Sequence, residues 1–536
     1  MAHSNSTRLL LLLGILFLLF SAGTLMRDLT WPDELRYAEV AREMRESGNW
    51  FLPTLNYKIY PDKPPVFFWL LALSQKGLGE TTTAALLPSI CSGLLLLYVT
   101  FLLGRELYDE DTGLLSAWIC STFLLFLLVA QVVRMDLLFT LLITTALYWI
   151  FGHLKEERKD RRRPYAGYLL IGLALVTKGP VGLIVPVLAF LPLLMQGRRE
   201  LIRRLAPGRG ILLILLIPLL WLVPAALSGG KEYLTEILFH QSAGRLVHSF
   251  AHAKPFYYYF MIFPVLFLPW SPFLLLYGIP GVRDALASHR QSRIFLLSWI
   301  AGTLLFFSLV SGKIAIYLLP IMPGLSILIG RACTTVLYNA TERGKSFLFP
   351  VVLILTAFFC IGGAVALLII SGKGEVSFPL SLRLGVSLIP AAGGVLLVLF
   401  AFRNRPVYGI VTVGLTSILL SGALTCLILP RINPDLSLKP MAEAIQFLEG
   451  EHPRVAGYKI DLRYLAYYLH TPYRKLNTPP EINKFLRGDR GLLIADLRDI
   501  DLVRRSAAVP LQEVGRFRSR TLTYLLLKTK QGGGEP

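Results

Sequence analysis

Between Trp31 and Trp69 the chain carries eleven charged side chains: Asp33, Glu34, Arg36, Glu39, Arg42, Glu43, Arg45, Glu46, Lys58, Asp62 and Lys63. The regions on either side are strongly apolar. A carboxylate in such a segment can align or deprotonate an acceptor, and an ammonium can hold a departing phosphate. Asp33 and Lys63 have the side chains this chemistry needs. Asp33 follows Pro32 at the start of a helical pattern, where an acid also caps the helix and suits its dipole. The two roles are compatible, because a capping carboxylate can still turn one oxygen into a cleft. Lys63 lies in Tyr60-Pro61-Asp62-Lys63-Pro64-Pro65, where the next proline pushes it towards an extended backbone. There it presents a point charge to a phosphate oxygen, or snorkels as an interfacial lysine.

Further polar residues stand at the ends of apolar runs. They are Arg134-Met135-Asp136, Lys178 before Gly179-Pro180, Lys313 after Ser311-Gly312, and Arg245. Ionisable groups beside a membrane span are costly and usually face a cavity or a partner. Two acids and several bases at one rim suit a reaction that breaks a bond to phosphate. The local alternatives are an Arg134–Asp136 ion pair in a tight turn and an interfacial Lys178. Tyr317 could hydrogen-bond a phosphate or anchor in the headgroup zone. His240, His248 and His252 fall within thirteen residues, and Asp62 could join His240 in holding a structural divalent metal such as zinc. Tyr257, Tyr258 and Tyr259 read as an interfacial aromatic belt.

The elements that must position these residues are membrane helices. Of 536 residues 54% are hydrophobic and 16% charged, against about 25% charged in soluble domains. The fold class is therefore a polytopic α-helical membrane protein. Thirteen apolar runs can be counted, from 9–26 to 408–430; those at 165–178 and 180–196 are short or broken. With the N-terminus inside, basic residues crowd the loops at 154–164 and 197–209 and recur in three later inner loops. Only the loop at 105–112 departs, with one arginine against four acids. The formal charge of +20 thus marks membrane topology and gives no nucleic-acid signal. Cys91, Cys120, Cys333, Cys360 and Cys426 lie in apolar runs without zinc-ligand spacing. On this topology the first loop (28–82), the loop at 229–256 and the turns holding Asp136, Lys178 and Lys313 all lie outside. In a Gram-negative cell that side is the periplasm.

Within the first loop, Tyr37, Val40, Ala41 and Met44 fall on one helical face, and Arg36, Glu39, Arg42, Glu43 and Glu46 on the other. Gly48 and Asn49 end the helix, which would lie along the bilayer surface. The chain divides into a transmembrane domain (1–434) and a small outer α/β domain (435–536). In the latter RVAGYKI, GLLIADLRDI and TLTYLLLKTK read as strands, MAEAIQFLEG and DLRYLAYYLH as helices.

Asp33-Glu34-Leu35-Arg36-Tyr37-Ala38-Glu39 with Ala41-Arg42-Glu43-Met44, then Tyr60, Lys63-Pro64-Pro65 and Trp69, resembles the first outer loop of bacterial GT-C-type glycosyltransferases. The branch is that of the lipid A 4-amino-4-deoxy-L-arabinose transferases, relatives of the protein O-mannosyltransferases. The resemblance implies a GT-C-like fold in the inner membrane with a periplasmic active site. It implies an undecaprenyl-phosphate-linked sugar as donor, and lipid A or another glycolipid as acceptor. It also implies catalytic roles for Asp33 and Asp136, and phosphate binding by Lys63, Tyr60, Arg245 and Tyr317. Glu34, Arg36, Lys178 and Lys313 complete the expected substrate-binding set. The family's metal site maps to Asp62 and His240, here with the shorter Asp where the family has Glu. The transfer itself requires no cofactor. Two other readings stand beside it: an O-glycosyltransferase acting on a protein or another glycan, and a polyprenyl-lipid flippase.

Overall fold

The computed structural model describes residues 2–155, 162–196, 203, 205–237, 253–342, 347–373, 378–487, 491–519 and 522–530. Among these, nine helices are long and apolar enough to cross a membrane, and a pair bent by 97°, Tyr258–Leu266 with Ser271–Gly278, makes a tenth if taken as one span. The other apolar runs form shorter helices. Arg163–Lys178 and Val181–Met195 have 16 and 15 residues, under the ~20 of a perpendicular span. The run at 113–131 breaks at Phe123, whose extended backbone (φ −62°, ψ 137°) separates Glu110–Thr122 from Leu124–Val129. The first loop also holds an apolar helix, Val66–Leu78.

The chain folds as two compact units. The first comprises residues 1–23, 62–67 and 88–426. Its inner helices are Asp136–Lys155 and Ala315–Tyr338, whose apolar windows are 78% and 89% buried. Pro207–Gly230 and Leu348–Ile369, at 22% and 28%, present most of their leucine and phenylalanine outward, as lipid-facing helices do. Small residues let three of the helices touch. A Cβ on Gly104 would fall 2.9 Å from Gly113 Cα, and one on Gly330 would fall 2.8 Å from Ser116 Oγ. Close backbone approach of this kind is the usual basis of helix association in lipid.

The acidic loop at 105–112 is explained by its partners. Asp109 caps the following helix by accepting from Thr112 N at 2.7 Å, and it also accepts from Arg331 Nη1 at 2.7 Å. Asp111 accepts from Asn5 Nδ2 at 3.0 Å and from Tyr338 Oη at 2.5 Å. Arg331, in the helix Met322–Glu342, thus offsets one of the loop's acids.

The second unit comprises residues 24–61, 68–87 and 427–536, so most of the first loop folds with the C-terminal region. A short hairpin, β1 (Thr54–Leu55) with β2 (Lys58–Ile59), precedes a five-stranded sheet. The sheet strands are β3 (Val455–Tyr458), β4 (Tyr473–Leu476), β5 (Leu492–Asp496), β6 (Leu511–Ser519) and β7 (Leu522–Thr529), in the order β4-β3-β5-β7-β6. β3 runs parallel to β4 and β5, and β7 is antiparallel to β5 and β6. Ala456, Tyr458, Leu493, Ala495, Leu525 and Leu527 pack from the sheet against Ile482, Phe485 and Val503. The sequence shows β3, β5 and β7 because they are buried apolar runs. β4 and β6 escape notice because both are edge strands interrupted by exposed charge, adjacent in Arg474-Lys475 and alternating in Arg516-Phe517-Arg518.

The first-loop helix, Pro32–Ser47, is enclosed on both faces: Tyr37, Val40, Ala41 and Met44 are buried, and so are Glu39, Arg42 and Glu43. This corrects the expectation of a helix resting one face on the bilayer. The charged face can be buried because its charges pair. Arg42 gives Nε and Nη2 to the two Glu39 oxygens at 2.7 Å each, and Nη1 to Glu46 at 2.5 Å.

Candidate active site

Each unit presents its own group of the expected residues. In the second unit, the loop helix starts at Trp31, with Pro32 in the first helical position. The cap is supplied by Glu34, whose Oε2 accepts from Thr30 N at 3.0 Å and Trp31 N at 3.1 Å. Asp33, expected as the N-cap, is instead a first-turn residue. Its carboxylate is about one-third exposed and lies 3.4 Å from Arg36 Nη1. Helix geometry puts Arg36 one turn along the same face. Burial works against the Arg36 charge, but Tyr60 and then Asp33 outweigh it and hold the guanidinium above its ordinary pKa. Tyr60 is buried, with its ring 6.2 Å from Phe68, and Tyr37 packs on the same Phe68 at 5.6 Å. Asp33, Arg36 and Tyr60 therefore form one cluster. Glu34, expected as a substrate contact, is wholly buried and turned into the fold.

In the first unit, Asp136 opens the helix Asp136–Lys155, where the helix dipole favours an anion. Lys178 closes the helix Arg163–Lys178, where the dipole favours a cation, and Gly179 (φ 80°) turns the chain just after it. The two side chains meet with Lys178 Nζ 2.6 Å from Asp136 Oδ1. Arg134 Nε reaches Asp136 Oδ2 at 3.0 Å. Asp136 is buried, Lys178 is 12% exposed and Arg134 25% exposed at the side chain. Lys178 Nζ also stands 5.1 Å from the ring centres of both Phe139 and Tyr317, a cation–π geometry. Tyr317 in turn stacks on Phe307 at 5.4 Å. The cluster sets two cations on one carboxylate in an aromatic surround. Clustered cations of this kind can hold an anion.

Lys313 does not join it. Its Nζ donates to Lys254 O at 3.0 Å and to Val310 O, closing the end of the helix Arg290–Leu309. Asp62 and Lys63 sit half-buried in a turn of the first unit, ahead of the helix Val66–Leu78. Arg245, His240, His248 and His252 lie outside the described residues. Among the described residues no group of three or more His, Cys, Asp or Glu side chains is placed to hold a metal ion.

Two pairings were not legible in the sequence: Arg27 with Glu34, and Glu80 with His470. The last joins His470 Nε2 to Glu80 Oε2 at 3.1 Å, while Arg45 holds the other Glu80 oxygen. Glu34 does stand three residues after the true cap, the place of the acid in a capping box. The signal is hidden because the cap is Trp31 rather than Ser or Thr.

Residues 62–223 match the family model described as dolichyl-phosphate-mannose-protein mannosyltransferase. The chain is 30% identical over 339 residues to the undecaprenyl phosphate-alpha-4-amino-4-deoxy-L-arabinose arabinosyl transferase of Yersinia pestis (strain Pestoides F). The match covers 62% of this chain and spans 60% of that relative's length. The transferase of the same name from Yersinia enterocolitica is 31% identical over 330 residues, with 60% and 59% covered. In three dimensions the chain superposes on ArnT from Cupriavidus metallidurans in the apo state with a TM-score of 0.82 and 18% identity, covering 98% of both chains. The chain has an ArnT-like GT-C fold. The superposition on ArnT bound to undecaprenyl phosphate is equally extensive, at TM-score 0.81. The oligosaccharyltransferase of Archaeoglobus fulgidus is more distant, at TM-score 0.54 over 93% of this chain and 71% of that one. The ArnT-like fold makes the protein multi-pass and includes the C-terminal mixed sheet.

Proposed function

We propose that the chain transfers 4-amino-4-deoxy-L-arabinose from undecaprenyl phosphate to a phosphate of lipid A, on the periplasmic side of the inner membrane. The observation that carries this reading is the 30% identity to the Yersinia arabinosyl transferases. The end-to-end superposition on ArnT bound to undecaprenyl phosphate supports it at the level of fold.

The chemistry follows from charge. An acceptor oxygen attacks the anomeric carbon from the face opposite the lipid phosphate, a new C–O bond forms, and the bond to the phosphate breaks with inversion. The electron pair leaves on the phosphate, so stabilising that anion lowers the barrier. Lys63, Arg245, Tyr60 and Tyr317 take that role. Lys178 and Arg134, held on Asp136, add positive charge. An acceptor phosphate is already ionised near neutral pH, so it has no proton to lose, and Asp33 with Arg36 aligns it. No step in this scheme draws on a cofactor. Asp62, with His240, would at most hold a structural divalent metal such as zinc.

Purified protein in detergent, given undecaprenyl-phosphate-linked aminoarabinose and lipid A, should form the glycosylated lipid. Transfer without a bilayer distinguishes an enzyme from a flippase. The match of residues 62–223 to protein mannosyltransferases favours a second reading, in which the acceptor is a hydroxyl of a protein and Asp33 takes its proton. Presenting both acceptors to one preparation decides between the two.

A further inference from the structure

Residues 27–31 form a strap that leads into the loop helix and is tied to Asn433 and to Glu34 in the first turn of that helix. At its front, Asp28 N donates to Asn433 Oδ1 at 2.9 Å, and Asn433 Nδ2 donates to Asp28 Oδ2 at 3.1 Å. Arg27, the first residue of the strap, and Glu34, in the helix, close it on itself. Arg27 Nη1 donates to Glu34 Oε2 at 2.8 Å and Nη2 to Oε1 at 2.6 Å, a two-pronged ion pair. Arg27 Nη1 also donates to Asp28 O at 3.1 Å. The pair is buried, with side-chain exposures of 3% and 0%. Glu34 Oε2 takes the backbone N–H groups of Thr30 and Trp31 as well. Four donors converge on one carboxylate and leave it little capacity for a ligand.

We infer that Arg27 and Glu34 are positioning residues for Asp33, an inference that rests on the proposed transferase reading. Asp33 is the residue next to Glu34, in the first turn that the pair holds. A single bound carboxylate there sets three things: where the strap ends, where the helix starts, and the direction in which the neighbouring side chain leaves the turn. Glutamate is required because both oxygens are used by the guanidinium fork. Arginine is required because an ammonium cannot donate in two parallel directions. Aligning groups of this kind act on the rate of the chemical step, since a displacement of about 1 Å can cost ~100-fold.

The test uses the full chain in detergent, with Glu34→Gln and Arg27→Lys. Gln keeps an acceptor for the backbone caps but loses the charged fork, and Lys keeps the charge but loses the fork. Both variants should lower kcat by about tenfold or more, with the donor KM within about twofold of wild type. A raised donor KM with unchanged kcat overturns the inference, because Glu34 would then touch substrate. Unchanged kinetics with a lower melting temperature also overturns it, because the pair would then serve stability alone. If Glu34→Gln does not fold, Arg27→Lys carries the same readout. A wild-type chain that transfers nothing removes the proposed function, and this inference with it. A wild-type chain that transfers, beside variants with wild-type kcat, removes the inference alone.

Discussion

Asp136 gives one oxygen to Lys178 and the other to Arg134, so its carboxylate is occupied as a holder of cations. Its proposed contribution is thus to keep two positive charges close together in an apolar surround. Lys178→Ala removes one of those charges and a direct partner of a buried acid. Transfer should fall by about 100-fold or more, the scale of losing one charge stabiliser of a developing anion, while Lys178→Arg should retain part of it. Asp33 works differently, since it is about one-third exposed beside Arg36. Asp33→Ala should abolish detectable transfer while leaving the melting temperature close to wild type, because the helix cap belongs to Glu34. The sequence shows which acids and bases cluster at the ends of spans, because charge inside apolar runs is conspicuous. It does not show that Lys178 pairs with Asp136, since 42 positions separate them. Nor does it show that Lys313 is spent on backbone carbonyls, which depends on how a helix ends.

The loop helix is the element on which the first loop depends, and Arg42 is its centre. Arg42 and Glu39 are both wholly buried, and the Tyr57 hydroxyl also accepts from Arg42, at 3.2 Å. Arg42→Ala leaves Glu39 buried without its guanidinium, which should cost about 3–5 kcal/mol. A double replacement, Glu39→Leu with Arg42→Met, should cost far less, because neither charge is left alone. Thermal melts of the two variants in detergent check this. The periodicity of the helix is plain in the sequence, yet burial of its charged face is not, because that depends on what covers it. The neighbouring Glu80–His470 pair, with Arg45, Arg42 and Glu46 around it, adds a pH dependence. The hydrogen bond with Glu80 raises the His470 pKa above its ordinary 6.5. Burial pushes Glu80 up, but His470 and then Arg45 outweigh it and bring it below its ordinary 4.5. The His470 contribution is whole below pH 6.5 and fades as pH rises through its raised value. The Glu80 contribution is whole above pH 4.5 and fades as pH falls through its lowered value. The melting-temperature gap between wild type and His470→Gln should therefore be widest between pH 4.5 and 6.5 and narrow above that range.

At the scale of the molecule, hydropathy and loop charge convey the membrane architecture directly, because lipid imposes both. The acidic loop at 105–112 is the instructive exception. Asp109 pairs with Arg331, and Asp111 accepts from Asn5 and Tyr338, so residues far apart in sequence hold acids that a local count leaves unexplained. Lengths are less legible. An apolar run does not reveal a break such as the one at Phe123, or the 97° bend between Tyr258–Leu266 and Ser271–Gly278. No step of the proposed transfer uses a metal, so EDTA should leave the transfer rate unchanged, and any effect of chelation should appear in the melting temperature.

The central claim is that this chain moves an aminopentose from a polyprenyl phosphate to lipid A, with Asp33 indispensable. It is tested most directly by mass spectrometry of lipid A from cells lacking their own transferase but supplied with the aminoarabinose donor. Expression of the wild-type chain should add the mass of one or two aminopentose units, and the Asp33→Ala chain, present in the membrane at equal amount, should add none. Unmodified lipid A with the wild-type chain, or full modification with Asp33→Ala, would contradict the account.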